Sequence, residues 1–148
     1  MNLSLDDIRQ KFRDCGLKST PQRASIYQAL VNSTAHPTAE DLFAQVSPTY
    51  PMLSLNTVYY TLTVLGTAGL VHEVNIGHDR ARYDANLSPH HHVICQGCQD
   101  IIDVVDSRLD SLASPNGLPK DFDITSYQVA FRGYCGTCRQ SQTPKSTD

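Results

Sequence analysis

The sequence has no long apolar run and no surplus of positive charge, and each absence excludes a class of protein. No stretch of about 18 apolar residues occurs in the 148 residues, so no membrane-spanning helix and no membrane partner are expected. The first residues, MNLSLDDIRQKF, include acids and lack the apolar core of a secretory signal peptide. We therefore expect a cytoplasmic protein.

The net charge of −3 argues against a protein that coats nucleic acid without regard to sequence. Residues 1–72 hold five basic and five acidic side chains, so acids exceed bases only in the remainder of the chain. A neutral segment can still bind DNA if its basic side chains share one face. Bound cations would offset an excess of acidic ligands in the remainder.

Apolar residues recur at helical spacing through the first part of the chain and then alternate. Four short helices are predicted, beginning after the capping residues Ser4, Thr20, Thr38 and Ser54. The alternating segments Val71–Ile76 and Ala81–Tyr83 flank a turn at Gly77-His78-Asp79, which predicts a β-hairpin. Helices followed by a hairpin are the order of a winged-helix domain.

The segment Leu87-Ser88-Pro89 resembles a hinge, and the part beyond it is too small for a strong core of its own. We predict strands at His90–Ile94, Ile101–Val105 and Ile124–Tyr134 and a helix at Asp106–Ala113. The predicted fold is α+β. It comprises a winged-helix domain (1–84), a hinge (85–89), a small α/β domain that completes its core by dimerisation (90–140) and a disordered tail (141–148).

Two cysteine pairs are the strongest chemical signal. Cys95 and Cys98 are separated by two residues, as are Cys135 and Cys138. This spacing lets both thiolates of a pair reach one ion, and four thiolates form the tetrahedral set of a structural zinc site. The alternatives are a redox pair or free thiols. Cys15 stands alone, and we interpret it as a small buried residue.

A histidine run offers a second ligand set. In a strand His90 and His92 share one face and His91 points away. Asp84 and Asp103 could meet that pair, and imidazoles with carboxylates suit iron, manganese or zinc. The alternative is a solvated histidine cluster.

The fourth predicted helix has polar and aromatic side chains on its outer side. These residues are Asn56, Thr57, Tyr59 and Tyr60. Such side chains near a helix N-terminus can read base edges in the major groove of DNA. An ordinary amphipathic helix explains the same pattern.

Together these features resemble the ferric uptake regulator family over nearly the whole chain. The most specific stretches are Thr57-Val58-Tyr59, Ala68-Gly69-Leu70-Val71 and His90-x-His92-Val93-Ile94-Cys95-x-x-Cys98. The resemblance implies a metal-dependent repressor that is a homodimer and binds double-stranded operator DNA, with Lys18 among its DNA contacts and no enzymatic activity.

The resemblance also implies a regulatory site for Fe²⁺ or Mn²⁺ beside the structural Zn²⁺. Its ligands correspond to His36, Asp84, His90, His92 and Asp103. Asp103 is typical of the peroxide-responsive branch, because iron and zinc sensors usually have Glu there. Iron sensors also have a second regulatory site that uses a histidine where this chain has Tyr127, and many place Arg where it has Tyr60. Both departures favour peroxide sensing by iron-catalysed histidine oxidation.

Three other functions stay open on the sequence. The first is an iron or zinc uptake regulator of the same family. The second is a metal-dependent hydrolase, although no positioned general base or substrate pocket is apparent. The third is a purely structural zinc module. DNA binding that depends on added metal would separate the repressor from the other classes.

Overall fold

The computed structural model describes residues 3–77 and 80–141. It divides into two compact units, Met1–Leu87 and Ser88–Asp148. The α+β class is as predicted, with helices and a hairpin in the first unit and a small sheet in the second. His78 and Asp79 of the predicted turn, and all of the predicted tail except Ser141, lie outside the described residues.

The four predicted helices of the first unit are confirmed. They are α1 (Leu5–Asp14), α2 (Pro21–Val31), α3 (Ala39–Val46) and α4 (Leu55–Thr67). Each begins after a Ser or Thr whose hydroxyl accepts a backbone N–H of the first turn, which satisfies a donor that the helix itself leaves unpaired. At Ser4 and Thr38 an aspartate three residues on completes a capping box.

The helices pack around one apolar core. Its largest fully buried side chains include Phe12 and Tyr27, whose ring centroids lie 5.5 Å apart. Val58, Leu62 and Leu65 of α4 are buried, and their spacing of three to four residues places them on one face of the helix. Cys15 is exposed, so its prediction as a buried residue is wrong. The chain turns there through Gly16, which leaves the thiol outside the core.

A two-stranded antiparallel hairpin completes the first unit. Its strands are β1 (His72–Val74), which is shorter than predicted, and β2 (Arg82–Asp84), which lies one residue later than predicted; they pair Glu73 with Tyr83. The backbone N–H of Tyr83 donates to Pro37 O at 3.0 Å, which attaches β2 to the segment before α3. Four helices and this hairpin form the predicted winged-helix arrangement.

The second unit contains a three-stranded sheet in the order β4-β3-β5. Its strands are β3 (His91–Cys95), β4 (Ile101–Val104) and β5 (Ala130–Gly133). β4 is antiparallel to β3, and β5 is parallel to it. The register places Asp103 directly across from His92, so the two side chains share one face of the sheet.

The predicted helix at Asp106–Ala113 is wrong, because this segment forms turns. Asp106 accepts the backbone N–H of Arg108 at 3.0 Å, a local bond that competes with helix formation. The Tyr127 hydroxyl donates to Leu109 O at 2.7 Å and accepts the N–H of Leu112 at 2.9 Å. A distant side chain therefore takes backbone groups that a helix would pair internally.

The last strand is also shorter than predicted, since only Ala130–Gly133 joins the sheet. The N–H of Val129 donates to His91 Nδ1 at 3.2 Å instead of to a neighbouring strand. A short helix that the sequence did not predict, α5 (Gly136–Gln140), follows Cys135. Among the described residues no helix is long and apolar enough to cross a membrane.

Candidate metal centres

The first candidate centre is formed by the four paired cysteines of the second unit. Cys95 ends β3, Cys98 follows in a tight turn, and Cys135 and Cys138 flank the start of α5. All four sulfur atoms lie within 4.8 Å of one another. Tetrahedral zinc with sulfurs at about 2.3 Å places them about 3.8 Å apart, so the cluster fits zinc with little adjustment.

The protonation of these thiols also fits a cation site. Backbone N–H groups of Cys135 and Cys98 lower the pKa of Cys95 to about 6, so this sulfur is poised as a thiolate. The pKa of Cys138 is raised to about 12, mainly because a side-chain hydrogen bond with Cys135 stabilises the protonated thiol. Burial raises this pKa further. A bound divalent cation would displace the remaining thiol protons, because cysteines bind metal ions as thiolates.

Gly97 lets the turn between Cys95 and Cys98 approach Cys135 and Cys138. A Cβ atom added at Gly97 would lie 2.7 Å from both Cβ and Sγ of Cys138, which is far inside van der Waals contact. The turn is closed by Gln99 N–H donating to Cys95 O at 2.9 Å. The four sulfurs therefore converge only because residue 97 has no side chain.

The second unit holds a further ligand set on one face of its sheet. His90 Nε2 lies 3.1 Å from His92 Nε2, and Asp103 Oδ1 lies 3.7 Å and 3.4 Å from these two nitrogens. All three histidines are buried, and His91 lies beside Asp110 and Tyr127 instead of Asp103. Two ligands about 2.1 Å from an ion and at right angles to each other lie about 3 Å apart, so the two imidazoles fit a shared metal.

A backbone carbonyl prepares His90 as a ligand. His90 Nδ1 lies 2.7 Å from Ser88 O, so Nδ1 carries the proton in the neutral ring and Nε2 presents a lone pair. Outer hydrogen bonds of this kind fix the tautomer and orientation of metal-binding histidines. Sequence reasoning missed this role of Ser88, because a backbone contact leaves no signal in the residue type.

The first unit brings together the other two predicted ligands. His36 Nε2 lies 3.5 Å from Asp84 Oδ2, and both side chains are buried. Asp84 Oδ1 accepts the N–H of Asn86 at 2.7 Å, which turns Oδ2 toward His36. The backbone of His36 has a φ of 48°, in the left-handed region that residues with a Cβ rarely adopt.

Tyr127 occupies the position at which, by the resemblance, iron sensors have a histidine of a second regulatory site. Its ring stacks on His91 at a centroid distance of 6.4 Å, and His91 Nε2 lies 3.0 Å from Asp110 Oδ1. Within residues 3–77 and 80–141, no cluster of three or more metal-ligating side chains includes His91 or Asp110. At this position His91 stacks on Tyr127 and contacts Asp110.

The predicted DNA-facing residues lie on the first unit. Asn56, Tyr59 and Tyr60 are exposed on α4, and Lys18 is exposed before α2. Thr57 is only half exposed, and its hydroxyl lies 2.8 Å from Ser54 Oγ. Sequence reasoning missed Glu40 of α3, whose carboxylate accepts a hydrogen bond from Tyr59.

Comparison with known proteins decides the family. The profile of the ferric uptake regulator family matches residues 14–132. This chain belongs to the ferric uptake regulator family. Members of the family are transcriptional regulators, so the hydrolase alternative is set aside.

Relatives and solved structures agree with this assignment. The chain is 33% identical over 136 residues to the peroxide-responsive repressor PerR of Staphylococcus epidermidis, covering 92% of this chain and 91% of that protein. The PerR structure from Streptococcus pyogenes is 29% identical with a TM-score of 0.52, covering 90% and 92%. The ferric uptake regulator of Helicobacter pylori shares the fold at 22% identity, with a TM-score of 0.73 and coverage of 96% and 98%.

Proposed function

We propose that this protein is a metal-dependent transcriptional repressor that senses peroxide. The observation that carries the proposal is the convergence of His90, His92 and Asp103, which offers nitrogen and oxygen ligands and no thiol. Such ligands suit redox-active ferrous iron or manganese. The similarity to peroxide-responsive repressors supports the same function.

The four cysteines hold a structural zinc ion in this proposal. Of the described residues in the second unit, the buried apolar ones are Ile94, Cys95 and Ile101, which is a small core. Structural zinc contributes folding free energy directly, so it compensates for this small core. Loss of any one of Cys95, Cys98, Cys135 or Cys138 should remove the zinc and unfold this unit.

The regulatory ion is held by all five predicted ligands in this proposal. His36 and Asp84 form one prepared pair and His90, His92 and Asp103 form another set, each within its own unit. A Fe²⁺ or Mn²⁺ ion bound by both sets would favour the arrangement of the protein that binds DNA. Metal binding and DNA binding would be coupled because the ion has a higher affinity for that arrangement.

Operator DNA is bound by a homodimer in the cytoplasm. Tyr59 lies at the centre of the proposed reading surface, flanked by Asn56, Thr57 and Tyr60, with Lys18 contacting phosphate or the minor groove. Across the sheet of the second unit, Val93 pairs with both Ile102 and Phe131, which are 56% and 50% exposed. An exposed apolar row of this kind favours burial against a second copy of the chain.

Bound iron would supply the redox chemistry of the sensor. One oxygen atom of hydrogen peroxide is added to a ring carbon of His36 or His90, and the other oxygen leaves as water. The imidazole loses two electrons, the peroxide is reduced, and the protein gains about 16 Da. An oxidised ring would no longer present its ligand nitrogen in the same geometry, which would weaken metal binding by His36 or His90 and release DNA.

The test is DNA binding by the zinc-containing protein loaded with Fe²⁺, Mn²⁺ or additional Zn²⁺, before and after peroxide. We expect the iron-loaded protein to release the operator and to show oxidised His36 or His90 by peptide mass spectrometry. The manganese-loaded protein should bind DNA and resist peroxide. Release without histidine oxidation would indicate a thiol route. Neither oxidation nor release would indicate an iron or zinc uptake regulator.

A further inference from the structure

The segment that carries His36 has an unfavourable backbone conformation. His36 has a φ of 48° and precedes Pro37, and the residue before a proline is normally restricted to extended conformations. Residues held in such conformations persist only where the surrounding structure fixes them. An isolated segment would therefore relax and move the His36 imidazole away from Asp84.

Strand β2 supplies the contacts that fix this segment. Arg82 Nε donates to His36 O, and its Nη2 donates to Ala35 O at 2.7 Å. The Tyr83 N–H donates to Pro37 O at 3.0 Å. Three consecutive carbonyl oxygens thus accept hydrogen bonds from two consecutive residues of β2.

The same strand also carries the acidic ligand. Arg82 and Asp84 are two residues apart and share one side of β2, whereas Tyr83 points into the core. Asp84 faces His36 at 3.5 Å, and Arg82 holds the His36 backbone. The distance between the two ligands is therefore set within one strand and the segment bonded to it.

We propose that Arg82 is a positioning residue for the regulatory metal, which preorganises His36 by gripping the carbonyl groups of Ala35 and His36. This inference rests on the proposed function, because it assumes that His36 binds the metal. The planar guanidinium is suited to the task, since its donors form a rigid fork that a lysine cannot reproduce. If the competent conformation is less populated, the apparent metal affinity falls by the same factor.

The test measures Mn²⁺ affinity in the zinc-containing full chain for Arg82→Met and Arg82→Lys. We expect Arg82→Met to weaken Mn²⁺ binding about 10- to 100-fold, as for other residues that orient metal ligands. Arg82→Lys should fall between it and the unmodified protein. Arg80→Met, which removes a positive charge two residues away, is the matched control and should bind Mn²⁺ normally.

Three further measurements separate positioning from general destabilisation. Zinc content and thermal unfolding should be unchanged in Arg82→Lys, while amide exchange at His36 and Tyr83 becomes faster in the manganese-free protein. Normal Mn²⁺ affinity in Arg82→Met, or an equal loss in Arg80→Met, would overturn the inference. If Arg82→Met does not fold, Arg82→Lys decides, and an affinity within twofold of the unmodified protein would overturn the inference.

His36→Ala distinguishes this inference from the proposed function. If His36→Ala binds Mn²⁺ normally, the proposed ligand set is wrong, and the positioning role is overturned with it. If His36→Ala loses Mn²⁺ affinity and Arg82→Met does not, only the role of Arg82 is overturned.

Discussion

The hydroxyl of Tyr59 donates a hydrogen bond to Glu40 Oε1 at 3.0 Å, which joins an exposed side chain of α4 to α3. The pKa of Glu40 is below its usual range because its own backbone N–H and the Tyr59 hydroxyl stabilise the carboxylate. Glu40 is therefore charged at neutral pH. A negative charge lies beside the residue that we place at the centre of the DNA-reading surface.

This relationship predicts opposite effects for two substitutions. Tyr59→Ala should cost about 1–3 kcal/mol of operator binding if the ring contacts a base. Glu40→Gln keeps an acceptor for the Tyr59 hydroxyl but removes the charge, so it should strengthen binding to operator and unrelated DNA alike. Fluorescence anisotropy with the manganese-loaded protein, on a selected operator and a scrambled duplex, measures both.

Thr67→Ser is the control for changes on the same helix, because Thr67 is exposed on α4 outside the proposed reading surface and the substitution keeps the hydroxyl. Unchanged operator affinity in Tyr59→Ala would show that α4 does not read DNA through this residue. A gain for Glu40→Gln that is restricted to the operator would contradict the electrostatic explanation.

The absence of a side chain at residue 97 gives a second prediction. Gly97→Ala would bring a Cβ atom within 2.7 Å of Cys138 Sγ, so this sulfur must leave the cluster. We expect less than half an equivalent of zinc per chain in reducing buffer and a lower unfolding temperature. Elemental analysis and thermal unfolding measure the two effects.

Gly136→Ala is the matched control, because a Cβ added at Gly136 meets no atom within 4 Å. Gly136 lies between two of the cysteines, so this control tests the effect of substituting a glycine near the site. Full zinc content in Gly97→Ala, or an equal loss in Gly136→Ala, would contradict the steric argument.

The first unit could be predicted from the sequence because its signals are local. The hydroxyl caps at Ser4, Thr20, Thr38 and Ser54 and the apolar spacing act within a few residues, and the structure has all four helices. The paired cysteines could also be identified as candidate zinc ligands from the sequence, because two-residue spacing is itself a property of metal-binding turns.

Contacts between distant residues account for what the sequence did not predict. The segment 106–113 has helical apolar spacing, yet Tyr127 bonds to its backbone from 15 residues beyond Leu112. Arg82 and Ser88 act on ligands through backbone carbonyls, and single-sequence patterns contain no record of such partners. Candidate ligands therefore follow from residue type and spacing, whereas the residues that orient them do not.

The hydrogen bonds of Tyr127 provide a third prediction. Tyr127→Phe removes the hydroxyl that bonds to Leu109 O and the Leu112 N–H. The side chain is 45% exposed, so water partly replaces these bonds, and we expect a loss of about 1 kcal/mol in the free energy of unfolding. Proteolysis within 106–113 should also become faster.

Tyr134→Phe is the control for Tyr127→Phe, because Tyr134 is similarly exposed, at 44%, and lies in the same unit. Chemical unfolding of the zinc-containing proteins compares the two. Equal losses in both variants would show that the hydroxyl of Tyr127 has no special role in holding the segment.

The carboxylate of Asp103 gives the most specific prediction for peroxide sensing. Asp103→Glu keeps the charge but adds a methylene group opposite His92, where Asp103 Oδ1 lies 3.4 Å from Nε2. We expect metal-dependent DNA binding to persist and histidine oxidation to slow, because a longer carboxylate alters the geometry around the ion. Asp110→Glu, which lengthens the carboxylate beside His91, is the matched control and should oxidise normally. Time-resolved peptide mass spectrometry of iron-loaded protein measures the rates. Equal rates in Asp103→Glu and the unmodified protein would show that this residue does not tune the response to peroxide.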